Sequence, residues 1–191
     1  PPKRARAPRP QVVIDKPPEC MAIYLVSLQN NILAYKPLDN ALEERGRLEC
    51  PAGPWAHPFS MGVTREGIAH VVYSDGRLYE VDLDDMRCRR TEFTPNQDPG
   101  YWQFGMGYAP TEEGEALYVA EISHVRPSKG LARVDTQTGE LHYIGSFSLN
   151  PGFDIELTPT GDGPLYGFFL NAFSPGGTLV EIDTSSAIIK R

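Results

Sequence analysis

The chain has 191 residues, 40% hydrophobic and 23% charged, which suits one globular domain or one compact repeat array. With 25 acidic residues against 18 basic ones and a net charge of −7, its surface would mostly repel phosphate, which argues against nucleic acid as the main partner. No apolar run approaches the roughly 18 residues of a membrane-spanning helix, and Pro1 opens with neither a Met nor a signal peptide, so a longer precursor is expected.

Residues 1–18 read as a basic, Pro-rich linker or tail. The opening "PPKRARAPRP" carries Lys3, Arg4, Arg6 and Arg9 and no acid. Those four set aside, 14 basic residues face 25 acidic ones, so the rest of the chain carries −11. Such a segment suits a solvated spacer that tethers a folded, exported domain to an anchor.

From residue 19 onward one pattern repeats. The first unit, about 20–52, holds the strand "IYLVSL" (Ile23–Leu28), a second strand ending at Lys36, and only one more. The second unit, about 57–96, begins with "FSMGVT" (Phe59–Thr64) and continues with "AHVVYS" (Ala69–Ser74), "GRLYEVD" (Gly76–Asp82) and "RCRRTEF" (Arg87–Phe93). The third, about 101–149, runs "FGMGYAP" (Phe104–Pro110), "LYVAEIS" (Leu117–Ser123), "SKGLARVDT" (Ser128–Thr136) and "LHYIGSF" (Leu141–Phe147). The fourth, about 152–191, runs "FDIELTP" (Phe153–Pro159), "LYGFFLN" (Leu165–Asn171), "GGTLVEIDT" (Gly176–Thr184) and "AIIKR" (Ala187–Arg191). Lys36, Asp82, Asp135 and Asp183 fall at equivalent positions, 46, 53 and 48 residues apart.

Four short strands per unit with no helical period between them predict an all-β propeller of about four blades, with under a tenth helix. A single sheet cannot bury both faces, whereas sheets stacked around an axis can. "ARVDTQTGELHYIG" (Ala132–Gly145) resembles the strand–turn–strand of bacterial β-propeller repeat proteins of the quinoprotein-like and YVTN-like kind, in which a D-x-x-T-G turn joins the two outer strands. The resemblance implies a fold and no activity. The tryptophan ring of quinoprotein dehydrogenases is missing, so no quinone cofactor is implied. The first unit lacks an inner strand. Either "QVVID" (Gln11–Asp15) supplies it and closes a four-bladed ring, or the chain is part of a larger one.

The repeating aspartates suit turns, because an Asp side chain can accept backbone N–H groups two residues on. Innermost strands line the axis, and there Met61-Gly62 and Met106-Gly107 are answered by Asp154 and Glu156. Carboxylates at alternate strand positions share a face and could hold Ca²⁺ or another divalent cation. Propeller-fold lactone hydrolases use axial acids in that way, yet one blade supplies too few ligands, and a solvated or backbone-bonded pair is the favoured reading. The aromatic run "GYWQFGMGY" (Gly100–Tyr108) offers either inter-blade packing or a ligand platform. Trp102 and Trp55, with Tyr101 and Tyr108, are the candidate ligand-binding residues. The histidines His57, His70, His124 and His142 show no metal spacing, and Ser60 with His57 lacks the elbow of a nucleophile.

Cys20, Cys50 and Cys88 show no C-x-x-C. They are either three reduced thiols or, in an exported chain, one disulfide and an odd cysteine. A Cys20–Cys50 bond would staple the incomplete first unit and leave Cys88 over. The resulting expectation is a non-catalytic binding or scaffold module of an exported bacterial protein, with a protein or carbohydrate ligand, no cofactor and no membrane span. The alternative is a metal-dependent lactonase or esterase with Asp154 and Glu156 as ligands.

Overall fold

The computed structural model describes residues 22–98, 100–123, 126, 128–149, 154–160, 163–170 and 176–190. The basic tail, Gln11–Asp15, Cys20 and His124 lie outside these residues. Among the described residues there is no helix, and hence none long and apolar enough to cross a membrane.

The described residues form fifteen strands in four antiparallel meanders, in a propeller arrangement. Blade I is β1 (Ile23–Val26), β2 (Asn31–Lys36) and β3 (Ala41–Arg47). Blade II is β4 (Pro58–Val63), β5 (Ile68–Tyr73), β6 (Leu78–Asp82) and β7 (Cys88–Arg90). Blade III is β8 (Phe104–Thr111), β9 (Gly114–Glu121), β10 (Leu131–Val134) and β11 (Leu141–Gly145). Blade IV is β12 (Asp154–Pro159), β13 (Leu165–Leu170), β14 (Gly177–Ile182) and β15 (Ile189–Lys190). Each blade is an antiparallel meander of strands adjacent in sequence, so its pairing is local.

The core lies between consecutive blades in three clusters. Ile32 of blade I packs with Val71, Tyr73 and Tyr79 of blade II. Val72 and Leu78 pack with Met106, Tyr108 and Val119 of blade III. Ala120 and Leu131 pack with Ile155, Leu165 and Phe169 of blade IV. Burial follows from position in the stack. β5 is buried continuously from Ala69 to Tyr73 and β8 from Phe104 to Ala109, because blades II and III are covered on both faces. β12 and β13 alternate, with Ile155, Leu157, Leu165, Gly167 and Phe169 buried, because blade IV is covered on one face.

The inner strands approach closely where glycine permits. A Cβ on Gly105 would sit 1.9 Å from the Ile155 carbonyl oxygen, so the glycines of the FGMG phrase set the spacing between β8 and β12. At the far turns the aspartates act as their position predicts. Asp135 Oδ1 accepts the N–H groups of Gln137 (2.9 Å) and Thr138 (3.0 Å). Asp82 Oδ1 accepts from Asp84 N–H (2.9 Å) and Asp183 Oδ1 from Ser185 N–H (3.0 Å). Four residues after each aspartate, or after Lys36, the backbone is left-handed: Asn40 (φ 49°), Met86 (60°), Gly139 (73°) and Ala187 (61°). Only blade III places glycine there.

The expected Cys20–Cys50 bond is corrected. Cys50 is bonded to Cys88, with Cα atoms 5.0 Å apart. Cys50 follows the outer strand of blade I and Cys88 opens the outer strand of blade II, so the bond ties two neighbouring blades at their rims rather than closing one unit.

Candidate functional site

Strand direction gives the molecule two ends. Pro58 pairs with Tyr73, Phe104 with Glu121, and Asp154 with Leu170, so the inner strands begin where the second strands finish. This entry end collects the 74–77 turn, the described part of the 122–130 loop and the connections that lead into β4 and β8. The far end carries the aspartate turns.

At the entry end the axis opens into a cavity of about 260 Å³ lined by Phe59, Ile122, Asp154, Ile155, Glu156, Phe168 and Leu170. Its walls are apolar and its polar groups are two carboxylates. Glu156 occupies the position held by Gly62 and Gly107 in the other inner strands. Its carboxylate crosses β8 and accepts the Ser60 hydroxyl hydrogen at 2.8 Å, together with the Met106 N–H. One side chain thus joins the inner strands of blades II, III and IV. Glu156 as a residue is exposed, but its carboxyl end is held against Ser60 and the Met106 N–H, and desolvation there pushes it up to about 7, with the Asp154 carboxylate adding to the rise. The hydrogen bonds from Ser60 and Met106 oppose it without cancelling it.

Ser60 is therefore engaged by Glu156, and His57 makes its backbone bonds to Ser74 instead (His57 N–H to Ser74 Oγ, 3.2 Å). Asp154 and Glu156 do come together at the cavity, but among the described residues no group of three His, Cys, Asp or Glu side chains assembles to hold a metal.

The four candidate aromatics separate. Tyr101 and Tyr108 are buried: Tyr101 donates its hydroxyl hydrogen to the Gly130 carbonyl oxygen (3.1 Å), and Tyr108 lies 2.8 Å from His70 Nδ1. Phe104 to Tyr108 belong to β8 itself rather than to the connection before it. Trp55 is 92% exposed and Trp102 is 49% exposed. They flank the same turn: Trp102 Nε1–H donates to the Ser74 carbonyl oxygen (3.3 Å), while His57 pairs with Ser74 from the other side.

A second cluster at this end was not legible in the sequence. Glu121 is only 2% exposed, and its carboxylate accepts from both Arg126 Nη groups (3.0 and 2.5 Å) and from the Lys129 N–H (2.5 Å). The Ser128 hydroxyl donates to the Glu121 carbonyl oxygen at 2.7 Å. Lys129 Nζ pairs with Asp98 and lies 5.7 Å from the Tyr143 ring centroid. These charge-assisted bonds hold the described part of the 122–130 loop against the connection between blades II and III. An acid at the end of a second strand, followed by Arg and Lys within eight residues, was the available signal.

No family model matches the chain, and no curated protein does. Solved structures do. A protein of unknown function from Bacteroides thetaiotaomicron VPI-5482 is similar with a TM-score of 0.53 and 14% identity, over 85% of this chain and 42% of that one. The extracellular domain of a B. thetaiotaomicron hybrid two-component system aligns with a TM-score of 0.47 and 16% identity, over 94% of this chain and 21% of that one. Kuenenia stuttgartiensis hydrazine synthase aligns at 0.48 and 15%, over 85% of this chain and 42% of that one. The chain thus spans less than half the length of each of these, and at these identities the likeness concerns the fold alone.

Proposed function

We propose that the chain is a non-catalytic binding module that receives its ligand at the entry end. The observation that carries this reading is the cavity of about 260 Å³, apolar-walled and fitted with two carboxylates, beside a loop held by the buried Glu121 carboxylate. Concave apolar walls with a few fixed polar groups are the usual form of a ligand site. Trp55 and Trp102 stand exposed at the same end, large rings that give contact area at small entropic cost. A protein segment or a carbohydrate chain suits that combination. The Cys50–Cys88 disulfide supports an oxidising compartment, and with it an exported protein.

The two tryptophans are the only ones in the chain, so intrinsic fluorescence reports on this end directly. Titration with maltotetraose, chitotetraose and a basic amphipathic peptide should produce a saturable change with one of them, reduced in Trp102→Ala and in Glu156→Gln. No saturable change with any of the three would count against the reading.

A further inference from the structure

The three inter-blade clusters share one construction: an apolar row on the face a blade turns to its successor meets an apolar row on the face the successor turns back. Two further rows of this kind have no counterpart among the described residues. On blade IV, Phe168 pairs with Leu179, so both lie with Leu170 on the face turned away from blade III, beside the acidic Glu156 opposite Phe168. Phe168 is 43% and Leu179 is 62% exposed. On blade I, Ile23 pairs with Tyr35 and Tyr35 with Leu42, while Leu25 pairs with Leu33. Ile23, Leu25 and Leu42 are exposed on the face turned away from blade II.

These rows are not the scattered exposed leucines of an ordinary surface. Each is contiguous across a sheet. Each also repeats, on the opposite face, what the same blade buries against its neighbour: Leu165, Phe169 and Ile182 on blade IV, Ile32 and Ala34 on blade I. Among the described residues, nothing covers the successor-side face of blade IV or the predecessor-side face of blade I. Packing joins β1 to β4, β4 to β8 and β8 to β12, and no comparable packing joins β12 or β13 back to blade I among the described residues.

We infer that the two open faces are blade seats, filled in the natural protein by further four-stranded blades of the same polypeptide, so that these four blades form an arc of a larger ring. Two observations select that occupant. The seats continue interfaces already present in the fold, so a sheet of the same repeat is what their shape and apolarity accept. In the B. thetaiotaomicron VPI-5482 structure of the same fold, the matching arc occupies 42% of one polypeptide, and most of that chain lies outside it. The added blade would also wall the entry-end cavity, because Phe168 and Leu170 belong both to the cavity lining and to the blade IV seat.

The test has two arms. The intact mass of the polypeptide isolated from its source cells should exceed the 21.2 kDa of these residues by a blade or more. Residues 1–191 alone should bind an apolar dye such as ANS and self-associate through uncovered faces, and the Phe168→Ser/Leu170→Ser double variant should cut dye fluorescence by about half. A native polypeptide no larger than these residues overturns the assignment. So does a 1–191 chain that stays monomeric and binds no dye, whatever the native mass. A discrete dimer of 1–191, split equally by Ile23→Ser/Leu25→Ser or by Phe168→Ser/Leu170→Ser and matched by a native polypeptide of the same length, would give the seats to a second copy and overturn the source proposed here.

Discussion

The Ser60 hydroxyl, on the inner strand of blade II, donates to Glu156 Oε2, on the inner strand of blade IV, at 2.8 Å with blade III between them. The two residues are 96 positions apart in sequence. Their contact exists because Gly105 and Gly107 leave β8 without side chains that would hold β12 away, and a Cβ at 105 would enter the β12 backbone. Gly105→Ala should accordingly destabilise the protein by at least about 2 kcal/mol, since backbone rather than a flexible side chain must move. Chemical denaturation of the variant checks this.

Glu156 titrates near 7 in the folded state against 4.5 as the reference. Between those values the folded protein binds more protons than the unfolded chain, so this group's contribution is full below about 4.5 and is lost as pH rises through 7. In Glu156→Gln that contribution is gone at every pH. The melting temperature of wild type relative to Glu156→Gln should therefore fall steadily between pH 4.5 and 7 and level off above.

His70 has the opposite sign. Burial lowers it from 6.5 to about 4; Glu80 opposes the shift and Arg89 adds to it. The unfolded chain then binds more protons below 6.5, and stability falls as pH falls from 6.5 through 4, by a ceiling of about 3 kcal/mol. Its Nδ1 lies 2.8 Å from the Tyr108 hydroxyl, across the interface of blades II and III, and its Nε2 faces Glu80 at 3.9 Å. His70→Gln keeps an amide for Tyr108 and removes the titration, so its acid limb should be shallower than that of wild type in the same melting series.

Much of the architecture was legible because it is local. The repeat of 46 to 53 residues and the turn aspartates both follow from short-range pattern. What the sequence hid depends on which blade lies beside which. Cys20 and Cys50 bracket one unit in sequence, but Cys50 leaves the rim of blade I where the outer strand of blade II starts, and so it meets Cys88. Tyr101 and Tyr108 look like a platform in a one-dimensional string of aromatics, and both point into the packing between blades. Glu156 was visible as an odd acid on an inner strand, but Ser60 as its partner required three inner strands side by side.

The Cys50–Cys88 bond closes a loop with a sequence separation of 38. In the chain-entropy picture this is worth about 4 kcal/mol. Cys88→Ser, or reduction of wild type, should lower the unfolding free energy by that order. If blades unfold separately, the transition of blade I should move to lower denaturant ahead of the rest. Equal denaturation curves with and without reductant would contradict a bond that couples blades I and II.

Hydrogen–deuterium exchange with and without the titrated oligosaccharides and peptide tests binding at the entry end most directly. Slowed exchange is expected in residues 55–60, 74–76, 102–106, 122–123 and 154–156, with the far-end turns at 64–67, 83–87, 136–140 and 184–188 unchanged. Protection centred on those far-end turns, or no protection with any of the three, would contradict it.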